Sequence, residues 1–235
     1  MNSQGPNFYS RDLAHIHASG FASVWDNAIP WLARQAETDD GDSYAIDVGC
    51  GDGRVLSMLA ALGVPGEGFE VSGAFVEAAQ ANGVKVEQAD AADLDLPKAS
   101  MVLALGEVLS YTDHSGRTAL ANIIFSAAAN LQPGGRLIFD VIGPDVDDIS
   151  GWREGPDWLV TSRTTVDGDR LRREIQTFRK AGRIWSREHE VHYQRVSTVK
   201  SVSDLLSKAG FQWRAVDAFG EAPLLPGRLG FVAQI

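Results

Sequence analysis

Apolar residues along the chain follow two kinds of pattern, and the change from one to the other divides it. From Phe8 to Ala36 they recur at helical spacing and predict two short helices, the second carrying Trp25, Ile29 and Leu32 on one side. A polar stretch, ETDDGDS, follows as a linker. Short apolar runs then alternate with helical ones: YAIDVG, RVLSMLAAL, GEGFEV, SGAFVEAAQANG, VKVEQAD, SMVLALGEV, GRTALANIIFSAAANL and GRLIFDVI. Strand alternating with helix predicts an α/β fold with a doubly wound, mainly parallel sheet. Gly83 is expected to cap its helix, and QPGG at 132–135 to turn the chain before the next strand.

After Val141 the pattern changes. DWLVTSRTTV, RLRREIQTFR and RIWSREHEVHYQRV are three strand-like runs, separated by stretches that hold Asp167-Gly168 and Ala181-Gly182, pairs suited to hairpin turns. They predict an antiparallel β-ribbon inserted into the α/β pattern. A helix, SVSDLLSKAG, follows with Gly210 at its end, and two strands, WRAVDAF and GFVAQI, close the chain. The expected organisation is an N-terminal helical cap at 1–40, an α/β ligand-binding domain at 41–150 and 197–235, and the β insert at 151–196. No repeat or low-complexity tract interrupts it.

The 235 residues, 44% of them hydrophobic, suffice for one such domain with its insertion. The 21 basic and 31 acidic residues give a net charge of −10, the wrong sign for a general nucleic-acid binder. The charge is uneven. Residues 35–100 hold 13 acids against 3 bases, whereas 151–200 hold 11 bases against 7 acids. The single cysteine, Cys50, excludes an intrachain disulfide and fits a reducing compartment. The opening MNSQGPNFYSRDLAHIH lacks the basic start and apolar core of a signal peptide, and no apolar run is long enough to span a bilayer. A soluble cytoplasmic protein without nucleic-acid or membrane partners is expected, as a monomer or homodimer.

The chemistry concentrates in YAIDVGCGDGRVLSML, where Gly49, Gly51 and Gly53 stand in a strand-to-helix turn and Asp47 precedes them. Glycines there let the backbone approach a ligand, and the helix start offers free N–H groups. The spacing is not the G-x-G-x-x-G of dinucleotide binders, which speaks against a NAD-dependent oxidoreductase. Ligands of doubly wound sheets lie across the carboxyl ends of the strands. Successive strand ends here carry Asp47, then Glu70, then Asp90, then Leu105-Gly106-Glu107. A carboxylate at the second end is suited to grip a ribose diol, and one at the third to accept from an adenine amine. Each acid alone is commonplace at a strand end; the ordered set is specific.

At this point the chain resembles the class I S-adenosylmethionine-dependent methyltransferases, on IDVGCGDG, GFEVS, QADAADLDLP, LALGEVLSY and LQPGGRLIFDV. The resemblance implies a seven-stranded sheet with a reversed C-terminal hairpin and S-adenosylmethionine as methyl donor. It places Asp47, Gly49, Cys50 and Gly51 beside the methionine part of the cofactor, Glu70 and Val71 at the ribose, Asp90 and Ala91 at adenine, and Leu105 and Gly106 under the methyl group. The fourth strand end lacks the Asn-Pro-Pro-Tyr type motif of enzymes that methylate amide or nucleobase nitrogens. A small-molecule acceptor is therefore expected.

Methyl transfer needs proximity, alignment and dryness, sometimes a base, and often no metal; no metal site is expected. Glu107, Tyr111 and His114 follow the fourth strand, and His17 lies on the N-terminal cap. On the third insert strand Trp185, Arg187, His189, Val191 and Tyr193 share one face and Glu188, Glu190 and His192 the other. Glu107, Tyr111, His17 and His189 are the candidate catalytic residues. The first of those faces, basic and aromatic, would roof the acceptor site and suit a flat or anionic acceptor, unless the ribbon serves a dimer contact. A non-catalytic S-adenosylmethionine-binding regulatory module is the alternative to an enzyme.

Overall fold

The computed structural model describes residues 8–38, 43–113 and 115–235; His114 and the first seven residues lie outside them. The N-terminal cap is α1 (Arg11–Gly20), a 3-10 turn at Ala22–Ala28 and α2 (Ile29–Gln35). Trp25, expected on the second helix, lies in the 3-10 turn, yet it is buried together with Ile29 and Leu32. The α/β part runs β1 (Ala45–Val48), α3 (Arg54–Ala61), β2 (Gly66–Glu70), α4 (Gly73–Ala81), β3 (Val86–Gln88), β4 (Ala99–Ala104), α5 (Leu120–Asn130) and β5 (Leu131–Ile142). Next comes the insert, β6 (Ile149–Glu154), β7 (Trp158–Asp167), β8 (Arg170–Ala181) and β9 (Ile184–Arg195). The chain ends with α6 (Val199–Lys208), β10 (Gln212–Val216), the small hairpin β11 (Ala218–Phe219) and β12 (Ala222–Pro223), and β13 (Arg228–Gln234).

Seven strands form one sheet in the order β10-β13-β5-β4-β1-β2-β3. All pairings are parallel except the two made by β13, which runs antiparallel between β5 and β10. This is the doubly wound, mainly parallel fold expected, with its reversed C-terminal strand. Every residue of β1 and β4 is buried, which is why both read as continuous apolar runs rather than alternating ones. Ile46, Val102 and Ala104 pack with Ile123, Ile124, Val202 and Leu206 on one side of the sheet. Met101, Leu103 and Ile138 pack with Leu32, Leu56 and Leu59 on the other.

Two expectations are corrected. The QPGG segment does not precede β5; the ladder with β4 begins at Leu131, and the segment is accommodated as a register shift between the Ala99–Leu131 and Met101–Arg136 pairs. The insert has four strands, not three, because β6 pairs with β7 and extends the ribbon back to Ile149. All six residues of β6 are exposed, so no burial pattern marks it in the sequence.

The ribbon docks on the cap. Leu13 and Ile16 of α1 pack with Trp158, Val160 and Ile175. Parity along β9 then decides which face looks inward. Glu190, His192 and Gln194 are buried, whereas Trp185, Arg187, His189 and Tyr193 face solvent. The face expected to roof the site is thus the outer one. The reason is electrostatic: Glu190 is buried where it accepts hydrogen bonds from the Tyr9 N–H (2.8 Å), the Ser10 N–H (3.0 Å) and His192 Nε2 (2.8 Å), fastening the entry to α1. Among the described residues no helix is long and apolar enough to cross a membrane.

Candidate functional site

The carboxyl ends of β1, β2 and β4, the cap and the inner face of the ribbon enclose one cleft of about 740 Å³, a usual size for a small-molecule site. The glycine turn forms one wall. Gly49 has φ +71°, and a Cβ on it would meet Val108 Cγ2 at 2.6 Å, so the turn admits no side chain there. All ten residues expected at the cofactor line this cleft: Asp47, Gly49, Cys50, Gly51, Glu70, Val71, Asp90, Ala91, Leu105 and Gly106.

Glu70 and Asp90 of this wall are held by backbone N–H groups. Glu70 is buried, and its two oxygens accept from the Gly51 N–H (3.0 Å) and the Ser72 N–H (2.9 Å). Ser72 caps α4, its hydroxyl accepting from the Phe75 N–H. Asp47 is also buried. Loss of water and the neighbouring Glu70 push its carboxyl up to about 8. Burial likewise raises Glu70 and the Cys50 thiol, so Cys50 is no reactive thiolate. Asp90 lines the cleft at the turn after β3, its Oδ1 accepting from the Ala92 N–H at 3.0 Å.

The opposite wall comes from the cap, the loop after β4 and the ribbon. His17 lines the cleft against Tyr9, Phe21 and Phe75, and burial holds its imidazole below the ordinary value despite Asp52 and Glu107 nearby. Tyr111 also lines it, its hydroxyl 3.1 Å from that of Tyr9. Tyr9 has φ +46°, strained backbone for a residue with a side chain; Glu190 holds its N–H and Ser72 Oγ donates to its carbonyl at 2.7 Å.

Glu107 lines the cleft but is unsuited to take a proton. Burial would raise it; Arg228 and Arg173 outweigh burial and hold it below the usual carboxylate range. Arg173 forms an ion pair with its Oε1, and Arg228 Nη2 lies 3.0 Å from its Oε2. Asp140, fully buried at the end of β5, accepts from the Gly106 and Glu107 N–H groups and from Arg228 Nη1 at 2.7 Å. The cluster braces the left-handed turn at Gly106 and Glu107, with φ +87° and +60°.

His189 is not brought to the cleft. It lies on the outer face of β9, beside Glu174, Gln176 and Arg187. The ribbon instead presents Arg153, Ser162, Thr164 and Arg173 to the cleft, none of them singled out from sequence. Strand parity could have found them only with the inward face known. Tyr9 and Phe8 were missed because no pattern in a short turn signals them.

S-adenosylmethionine fits this donor set. Its sulfonium and ammonium are cations and the cleft offers several carboxyl groups, among them Asp47, which burial and the neighbouring Glu70 push up to about 8. The glycine turn leaves room for close approach, a Cβ at Gly51 meeting nothing nearer than Phe75 at 3.9 Å.

A family model described as a methyltransferase domain matches residues 23–216. Among curated proteins, none matches the chain by sequence. Solved structures show the same fold. The chain is similar to an S-adenosylmethionine-dependent methyltransferase from Clostridium acetobutylicum, with 16% identity, TM-score 0.76, and 94% and 97% of the two chains covered. It is similar to the sugar N-methyltransferase KedS8 from a Streptoalloteichus species, with 23% identity, TM-score 0.77, and 95% and 91% covered. It is also similar to CalS10, an amino pentose methyltransferase from Micromonospora echinaspora, with 24% identity, TM-score 0.73 and 94% of each chain covered. Strand order, cleft and family model agree: the chain belongs to the methyltransferase domain family, among the class I S-adenosylmethionine-dependent methyltransferases.

Proposed function

We propose that the protein transfers a methyl group to a small-molecule acceptor bound under the ribbon. The observation that carries this is the two-sided cleft, with the ordered acids of the strand ends on one wall and His17, Tyr9, Tyr111 and Arg173 on the other. When bound, S-adenosylmethionine supplies a methyl carbon activated by a sulfonium and open to in-line displacement. Asp47 and the Gly49-Cys50-Gly51 turn would hold its methionine part, Glu70 and Val71 its ribose, Asp90 and Ala91 its adenine. Leu105 and Gly106 would form the wall beneath the methyl, in the position that Asp140 fixes.

His17 is the base in this reading. Its lowered pKa keeps Nδ1 or Nε2 free to take the acceptor's proton at neutral pH. The Tyr9 and Tyr111 hydroxyls, both raised by burial, stay protonated and position the acceptor by hydrogen bonds. Phe8 and Tyr9, which line the cleft, would help exclude water from it. Amino sugars are the first acceptors to try, since KedS8 is a sugar N-methyltransferase and CalS10 an amino pentose methyltransferase. The test is a methyl-transfer screen with mass detection of product across amino sugars, hydroxylated aromatics and small amines. Turnover of at least one supports the reading; S-adenosylhomocysteine binding with no turnover across the panel would favour a regulatory module.

A further inference from the structure

The mouth of the cleft differs from its interior. Val24 of the 3-10 turn, Ile149 of β6 and Leu225 beyond β12 line it, yet they are 44%, 65% and 49% exposed. Large apolar side chains left in water by three separate segments around one opening mark a binding surface. Beside them, on the inward side of β6, the Arg153 guanidinium lies over the Phe21 ring at 5.8 Å from its centroid.

Arg153 stands apart from the other arginines of the cleft. Arg54 pairs with Asp26, Arg117 with Asp93 and Asp113, Arg173 with Glu107, and Arg228 with both Glu107 and Asp140. Among the described residues Arg153 has no acidic partner, although the chain carries a net charge of −10. Two residues before it, on the same face of the strand, Gly151 carries no side chain, and a Cβ placed there would meet nothing within 4 Å. Its cross-strand partner is Ser162, which lines the cleft. A free guanidinium therefore borders an open space with a hydroxyl beside it.

We propose that the mouth is a second subsite, for the part of the acceptor that does not react. A flat or apolar body rests against Phe21, Val24, Ile149 and Leu225, and an anionic group, phosphate or carboxylate, is held by Arg153 with Ser162 donating. A guanidinium suits this task because its N–H groups match two oxygens of such an anion at once. The acceptor then carries its methylated atom at the inner end and its anion at the outer end. The proposal rests on the reading that the cleft takes an acceptor beside S-adenosylmethionine.

The experiment holds the protein saturated with S-adenosylhomocysteine and follows inorganic pyrophosphate by phosphorus NMR line broadening and labelled malonate by carbon NMR. At least one anion is expected to bind, tenfold or more weaker to Arg153→Ala, with part of the loss recovered in Arg153→Lys. Pyrophosphate preferred over malonate assigns a phosphate, the reverse a carboxylate. Binding of neither anion, or equal binding by Arg153→Ala, overturns the subsite. Calorimetry of S-adenosylhomocysteine on the same samples reports separately on the cofactor reading, and Arg153→Ala is expected to keep its affinity.

Discussion

Glu107 and Arg173 meet across the space between sheet and ribbon, the one in left-handed backbone after β4, the other on the inner face of β8. Both line the cleft, so the pair ties its sheet-side wall to the ribbon. Arg228 joins from β13 and carries the tie to Asp140. A carboxylate held ionised by two guanidiniums is a brace, not a base.

Glu107→Gln should therefore cost stability. Removing one partner of a buried ion pair leaves an uncompensated charge, here on Arg173, and about 3–5 kcal/mol is expected in urea unfolding. Full stability with turnover abolished would return Glu107 to the role of base.

Much of this site was legible before the fold was known. A carboxylate at each of three consecutive strand ends and three glycines at alternate positions are local features, and a parallel sheet brings consecutive strand ends together by topology alone. The acceptor wall is not local in that sense. Arg173, Thr164 and Ser162 reach the cleft only because the ribbon turns one face inward, and beside the cleft that face is polar, although Trp158, Val160 and Ile175 on it pack against the cap. Trp185 and Tyr193 point outward while Glu190 and His192 are buried, since Glu190 satisfies the backbone at the start of α1. Patterning assigns faces by hydrophobicity, and here a buried carboxylate with its own donors overrides it.

The corrected face has its own test. Replacing Arg187 and His189 together by Ala, on the outer face, should leave turnover and cofactor affinity unchanged. Arg173→Ala should abolish turnover. A loss of activity in the outer-face double variant would put His189 back at the reaction.

Asp47 makes stability depend on pH when no cofactor is bound. Its folded-state value near 8 lies above the ordinary 3.8, so the folded protein holds a proton that the unfolded chain gives up. The stability tied to that proton is complete below about pH 4 and is lost as pH rises through about 8. Asp47→Asn stays neutral throughout. Its urea-unfolding free energy should fall less between pH 5 and pH 8 than the parent's, with a gap of at least about 1 kcal/mol at pH 8. Parallel pH profiles would show that Asp47 is ionised in the folded protein.

His17 predicts the rate profile. Its depressed pKa puts the acid limb of kcat/KM below the ordinary 6.5, with activity lost as the imidazole gains its proton. His17→Ala should lower kcat by about 10²–10⁴-fold and flatten that limb. An unchanged limb in the variant would assign the proton transfer to another group.

The most direct measurement is calorimetric titration of S-adenosylhomocysteine into the parent protein and into Glu70→Ala, with NAD as the control ligand. One molecule of S-adenosylhomocysteine should bind the parent, and Glu70→Ala, still folded by circular dichroism, should bind it about 1–3 kcal/mol more weakly for loss of a charge-assisted hydrogen-bonding group. NAD should give no heat of binding. Tight NAD binding without a response to S-adenosylhomocysteine, or equal affinity in a folded Glu70→Ala, would contradict the assignment of the cleft.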